Sequence, residues 1–89
     1  MYTPQVVEFL GTTLLLSAIS FTGTPVLIVA AFAIAVGLGG KVSGGHFNPA
    51  VTAWALLSGK MGQSRALGYI LAQLAAALFV YFLGTVVKV

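Results

Sequence analysis

The sequence predicts an all-α membrane protein with three transmembrane helices and one re-entrant half-helix, and three observations predict it. Hydrophobic residues fill 60% of the 89 positions and charged residues only 6%, against roughly 25% charged in soluble domains. Three apolar stretches come close to the ~20 residues that a helix needs to cross a ~30 Å bilayer core. A fourth apolar run is about half as long and carries a helix-start signal. The charged side chains are Glu8, Lys41, Lys60, Arg65 and Lys88, too few to dress a water-facing surface.

The elements follow in order within a single unit, residues 1–89. The first span covers about 5–22 and contains Glu8. No Lys or Arg precedes it, and Glu8 interrupts its apolar run, which reads against a cleaved signal peptide. The polar turn Thr22-Gly23-Thr24 leads to Pro25, which opens a second span over about 25–40. Residues 41–47 are polar and Gly-rich and are expected to form a re-entrant loop. A half-helix is expected over 48–58, because Asn48 suits an N-cap and Pro49 the first helical position. Gly59 suits its end, with Lys60 near the negative end of the dipole. About 10 residues at ~1.5 Å each give ~15 Å, half a bilayer. The last and longest span covers about 64–87. Small residues recur at every fourth position in Ala31-Ala35-Gly39 and Gly68-Ala72-Ala76, spacing that lets helices approach closely in lipid. Gln73 belongs on the packed face of its span, since facing lipid would be costly.

Several function classes drop out. The chain has no cysteine, which excludes thiol catalysis, disulfide scaffolds and zinc ribbons. Its few basic residues form no cluster in the sequence, so no nucleic-acid partner is expected. One Glu and one His offer no catalytic set in lipid, so neither an enzyme nor a metal or cofactor is expected.

What remains is the chemistry of a helix that stops midway. Its first N–H groups would be unpaired at depth, and non-helical backbone there is tolerated only inside protein or along a water-filled cavity. Ser43-Gly44-Gly45-His46-Phe47 would be that backbone, and its carbonyls, turned inward, would form a row of acceptors. Asn48 would add a donor beside the positive end of the half-helix. From the residues alone, Gly44-Gly45 reads equally well as a plain interhelical turn, with Asn48-Pro49 an ordinary helix start. His46 by itself reads more readily as a hydrogen-bonded structural histidine. Glu8 makes a sharper case, because a lone intramembrane carboxylate needs a partner. No basic residue sits at its depth, so the loop's backbone N–H groups are the expected donors.

The run Ser43-Gly44-Gly45-His46-Phe47-Asn48-Pro49-Ala50-Val51-Thr52 resembles the first signature loop of the aquaporin, or major intrinsic protein, family. Glu8-Phe9-Leu10-Gly11-Thr12 is similar to the family's first span, and Gly68-Tyr69-Ile70-Leu71-Ala72-Gln73 to its third. The likeness covers almost the whole chain in order. It implies half of an aquaporin fold, completed by an inverted second copy so that two Asn-Pro-Ala half-helices meet at the midplane. Such pairs would assemble further into a tetramer. The expected function is a passive channel for water and small neutral solutes in a cell membrane, surrounded by membrane lipid.

By the same resemblance, Asn48, Pro49 and Ala50 form the pore-centre motif. Gly44, Gly45, His46 and Phe47 supply the carbonyl ladder, with Glu8 and Gln73 supporting the loop. The family's constriction Arg, placed after Asn-Pro-Ala in the second half, is replaced by Val51, and a constriction aromatic by Ile28. A wider, more apolar pore is expected. Lys41, Lys60 and Arg65 would fall on one side of the membrane and Lys88 on the other, a bias that opposes dual orientation. The alternative readings are a non-conducting membrane interaction protein and an excised or designed fragment of a full-length member.

Overall fold

The structure is a computed structural model and describes residues 3–87. Lys88, the counterweight in the charge-bias argument, lies outside the described residues. Four helices follow in chain order: α1 (Thr3–Phe21), α2 (Pro25–Ser43), α3 (Pro49–Leu57) and α4 (Gln63–Val86). At ~1.5 Å per residue, the 19-residue α1 and α2 are ~28 Å long, the 24-residue α4 ~36 Å and the 9-residue α3 only ~14 Å. The first, second and fourth are long and apolar enough to cross a membrane. The bundle measures 41 × 24 × 23 Å, and its long axis matches the ~40–45 Å of a bilayer with its headgroups. Helix α1 packs against both α2 and α4, while α3 packs against α4.

Local chemistry sets most helix ends. Pro25 occupies the first turn of α2, where its missing N–H is no loss. At the other end Gly44 takes a left-handed conformation, φ 92°, and its N–H caps the Gly40 carbonyl at 2.8 Å, a helix stop that favours glycine. Helix α3 starts as its sequence implies: the Asn48 Oδ1 accepts a 2.8 Å hydrogen bond from the Ala50 N–H, with Pro49 next in line.

One boundary differs from the expectation. The re-entrant loop was expected to begin at Lys41, but Lys41, Val42 and Ser43 form the last turn of α2, and the non-helical segment is only 44–48. Polar composition does not end a helix; a residue able to adopt positive φ does. Lys41 is also well placed in a last turn, against the negative end of the dipole.

Polarity is reversed relative to a water-soluble bundle. The interhelical faces carry Gly11 and Thr12 on α1, Ala31, Ala35, Gly39 and Ser43 on α2, and Ala66, Tyr69, Gln73, Ala76 and Val80 on α4. The large aliphatic residues point outward, with Leu38 81% and Leu57 87% exposed. Small buried residues let backbones approach where packing rather than hydrophobicity drives association. In α4 the buried stripe differs from the expected small-residue row: Ala76 is buried, but Gly68 and Ala72 are only half-buried.

Candidate functional site

Glu8 is fully buried and organises the turn between α2 and α3. Its Oε2 accepts from the Ser43 hydroxyl at 2.7 Å and the His46 N–H at 3.1 Å. Its Oε1 accepts from the Phe47 N–H at 2.7 Å and the Gln73 Nε2 at 2.8 Å. Four donors from three segments thus converge on one carboxylate, and charge-assisted bonds of this kind are roughly twice as strong as neutral ones. A buried carboxylate with fewer partners would be severely destabilising.

The hub continues into α3. Gln73 Nε2 also donates to Thr52 Oγ1 at 2.9 Å, and Thr52 Oγ1 lies 2.8 Å from His46 Nδ1. A carboxylate only accepts, so the Gln73 amide must turn its nitrogen toward Glu8. Its Oε1 is buried without a partner among the described residues. Thr52 Oγ1 accepts from Gln73 and shares a hydrogen bond with His46 Nδ1, whose direction follows the imidazole tautomer. The Thr52–Gln73 bond also fixes the level of the half-helix. Gln73 lies ~15 Å along α4 from its start at Gln63, near the middle of that helix.

Phe47 locks the turn from the other side. Its φ is 53°, the one non-glycine residue with positive φ among those described, and it is only 2% exposed. This region costs a side-chain-bearing residue about 1–2 kcal/mol. The ring compensates by filling a notch in α1: a Cβ on Gly11 would collide with its edge, and one on Gly39 would lie 3.5 Å from its tip. The Phe47 carbonyl belongs to the expected ladder, while its side chain is the wedge that seats the loop.

Among the described residues, the carbonyl oxygens of Gly44, Gly45, His46 and Phe47 accept no hydrogen bond. Asn48 follows, exposed, with Oδ1 committed to the cap and its amide nitrogen without a partner among the described residues. Four free carbonyls and a free amide donor therefore run consecutively, ending at the N-terminus of a half-length helix level with the middle of α4.

The profile described as Major intrinsic protein matches residues 2–88. The chain belongs to the major intrinsic protein family. It is 39% identical over 84 residues, 80% of this chain, to glycerol uptake facilitator protein-like 6 of Lactiplantibacillus plantarum, and that stretch is 37% of the relative. It is 59% identical over 39 residues to the lens fiber major intrinsic protein of Gallus gallus, covering 44% of this chain and 15% of that one. It is also 45% identical over 53 residues to a "Probable aquaporin TIP-type" of Medicago truncatula, 54% of this chain and 21% of that one. The chain thus spans about a third or less of the length of these relatives. No solved structure matches comparably. With family and spans together, the chain is a multi-pass integral membrane protein carrying half of a major intrinsic protein fold.

Within this major intrinsic protein unit, the two constriction candidates lie apart. Ile28 is half-buried in the first turn of α2, and Val51 is exposed early in α3. Sequence reasoning found the loop donors to Glu8 and the buried face of Gln73 but missed Ser43, Thr52 and Tyr69. The Tyr69 hydroxyl donates to the Ser43 carbonyl at 2.6 Å, while Arg65 donates to that hydroxyl through Nε at 3.3 Å and Nη2 at 3.0 Å. Periodicity held part of the signal, since Arg65, Tyr69 and Gln73 recur at i, i+4 and share one face of α4.

Proposed function

We propose that the chain forms a passive channel for water and small neutral solutes, completed by a second copy inverted across the membrane. The observation that carries this reading is the row of four unpaired carbonyls leading to the Asn48 amide. Water moving along such a row donates to each carbonyl in turn and accepts from Asn48 where the row ends. The positive end of the α3 dipole at that point repels cations and orients each water by its oxygen. No covalent chemistry is required.

The second copy follows from length. Helix α3 covers ~14 Å of a ~30 Å hydrocarbon core, so a row of this kind serves half the thickness. An inverted copy would bring a second Asn48 to the same level and supply the other half; pairs of this kind would group into a tetramer. Solutes larger than water are supported by the likeness to a glycerol uptake facilitator-like protein. They are supported also by Val51 and Ile28, apolar side chains where the family resemblance leads one to expect an Arg and an aromatic ring.

The test is stopped-flow light scattering of liposomes holding the purified chain, with water and glycerol gradients measured separately. Rapid entry of both, with no ion current across planar bilayers, is the expected result. Permeability equal to that of empty liposomes for both would overturn the channel reading.

A further inference from the structure

A cavity of about 630 Å³ lies where α2 ends and α4 begins, and Lys41, Lys60 and Arg65 all line it. These are three of the four cationic side chains in the sequence. The sole acidic side chain, Glu8, is buried and already holds four donors, so it does not serve as their counter-charge. A membrane-side preference for basic residues explains why they share one end of the bundle. It does not explain why residues from α2, from the α3–α4 turn and from α4 line one concavity.

The cavity wall is partly preorganised. Arg65 directs Nε and Nη2 at the Tyr69 hydroxyl, and its guanidinium carbon sits 5.5 Å from the Tyr69 ring centroid. Tyr69 is itself 1% exposed and bonded to the Ser43 carbonyl. Two of the five guanidinium N–H donors are thereby used, which leaves three for a ligand. Lys60 Nζ rests 5.6 Å from the Trp54 ring centroid, and Trp54 lines the same cavity.

We propose that this cavity binds a phosphate group. Three positive charges without an acidic counterpart favour an anion, and a guanidinium fork matches phosphate oxygens in pairs. A planar carboxylate would satisfy Arg65 alone, whereas tetrahedral phosphate offers oxygens toward donors arriving from three elements. The volume is about twenty times the ~30 Å³ share of one water molecule, which leaves room for a phosphate that carries an organic group. That group is either a soluble phosphate ester or a phospholipid headgroup, since a bilayer surface lies at the level where these helices end. Gly44 and His46 of the carbonyl row also line this cavity, but the inference does not rest on conduction, because its readout is binding.

Trp54 is the only tryptophan and reports occupancy directly. In detergent, inorganic phosphate titrated at constant ionic strength should give a saturable change in Trp54 emission that an equal charge of chloride does not. Lys41→Gln, a change at an exposed position, should weaken the phosphate response several-fold and leave the unliganded spectrum unchanged. Arg65→Gln should weaken it about tenfold or more, the loss expected for hydrogen bonds to a charged group. Two vesicle preparations separate the sources. If a lipid headgroup is the natural occupant, phosphatidylglycerol vesicles should show the shifted emission already and no further response to phosphate. If a soluble ester is, phosphatidylcholine and phosphatidylglycerol vesicles should titrate alike. Emission that moves no more with phosphate or phosphatidylglycerol than with chloride and phosphatidylcholine would overturn the proposal. So would Lys41→Gln and Arg65→Gln variants that both keep the parent response.

Discussion

Glu8 accepts a 2.7 Å hydrogen bond from the amide of Phe47, a residue 39 positions later whose own φ is 53°. The carboxylate thus holds the one described side-chain-bearing residue with positive φ at the turn leading to Asn48. Strain of this kind persists only where its surroundings over-determine it. Here the surroundings are four donors on one side and the Gly11 notch on the other.

Glu8→Gln should destabilise the fold by about 2–6 kcal/mol, because two buried donors lose their acceptor at about 1–3 kcal/mol each. The amide nitrogen of the new side chain would also face donors. Glu8→Asp keeps the charge but shortens the reach and should fall between. Thermal loss of helical circular dichroism in detergent ranks the three. A Gln variant as stable as the parent would show that the four contacts contribute little.

Gly11→Ala should cost about 1–3 kcal/mol, because the new methyl collides with the Phe47 ring and forces a shift. Phe47→Leu in the same chain should restore part of that loss. The coupling between the two changes should fall in the range of about 0.5–3 kcal/mol seen for contacting residues. Strictly additive effects in a double-mutant cycle would rule out the notch as the seat of the loop.

Two orientations should coexist in the membrane if the pore is an inverted pair. Cysteines introduced one at a time at Thr24 and Gly59, in the turns joining α1 to α2 and α3 to α4, should each react with an impermeant thiol reagent from both sides. Cross-linking through an introduced Asn48→Cys should give dimers. Labelling of each position from one side alone would refute the inverted pair; Lys41, Lys60 and Arg65 at one end are the feature that favours that outcome.

Val51→Arg should reduce glycerol flux at least several-fold while disturbing water flux less. An added guanidinium narrows the path and contributes a fixed positive charge beside the α3 N-terminus. Liposome swelling with each solute measures the two rates. Equal loss of both would mean that Val51 blocks the path as a whole rather than selecting within it.

Much of the fold is legible in short windows of the sequence. The three long apolar runs, the Asn48-Pro49 start and the half-length of α3 are all visible in short windows, because hydropathy and capping act within a turn or two. The buried face of Gln73 has a local reason too, the cost of a bare amide in lipid. Helix α2 runs three residues past the expected end, because polarity at Lys41 does not stop a helix and the positive φ of Gly44 does.

By itself the sequence determined which segments cross the membrane and where a half-helix begins, since each follows from side chains adjacent in the chain. Only tertiary structure decided which groups satisfy Glu8: Ser43 is 35 positions away and Gln73 is 65. It also decided that Phe47 fits over Gly11, and that Lys41, Lys60 and Arg65 line one cavity. The physical reason is the missing solvent. Within a lipid-embedded bundle no water stands ready to satisfy a stray donor, so the donors around Glu8 bond to the carboxylate that the packed helices bring within reach. That choice depends on helix rotation and depth, which no short window of sequence contains.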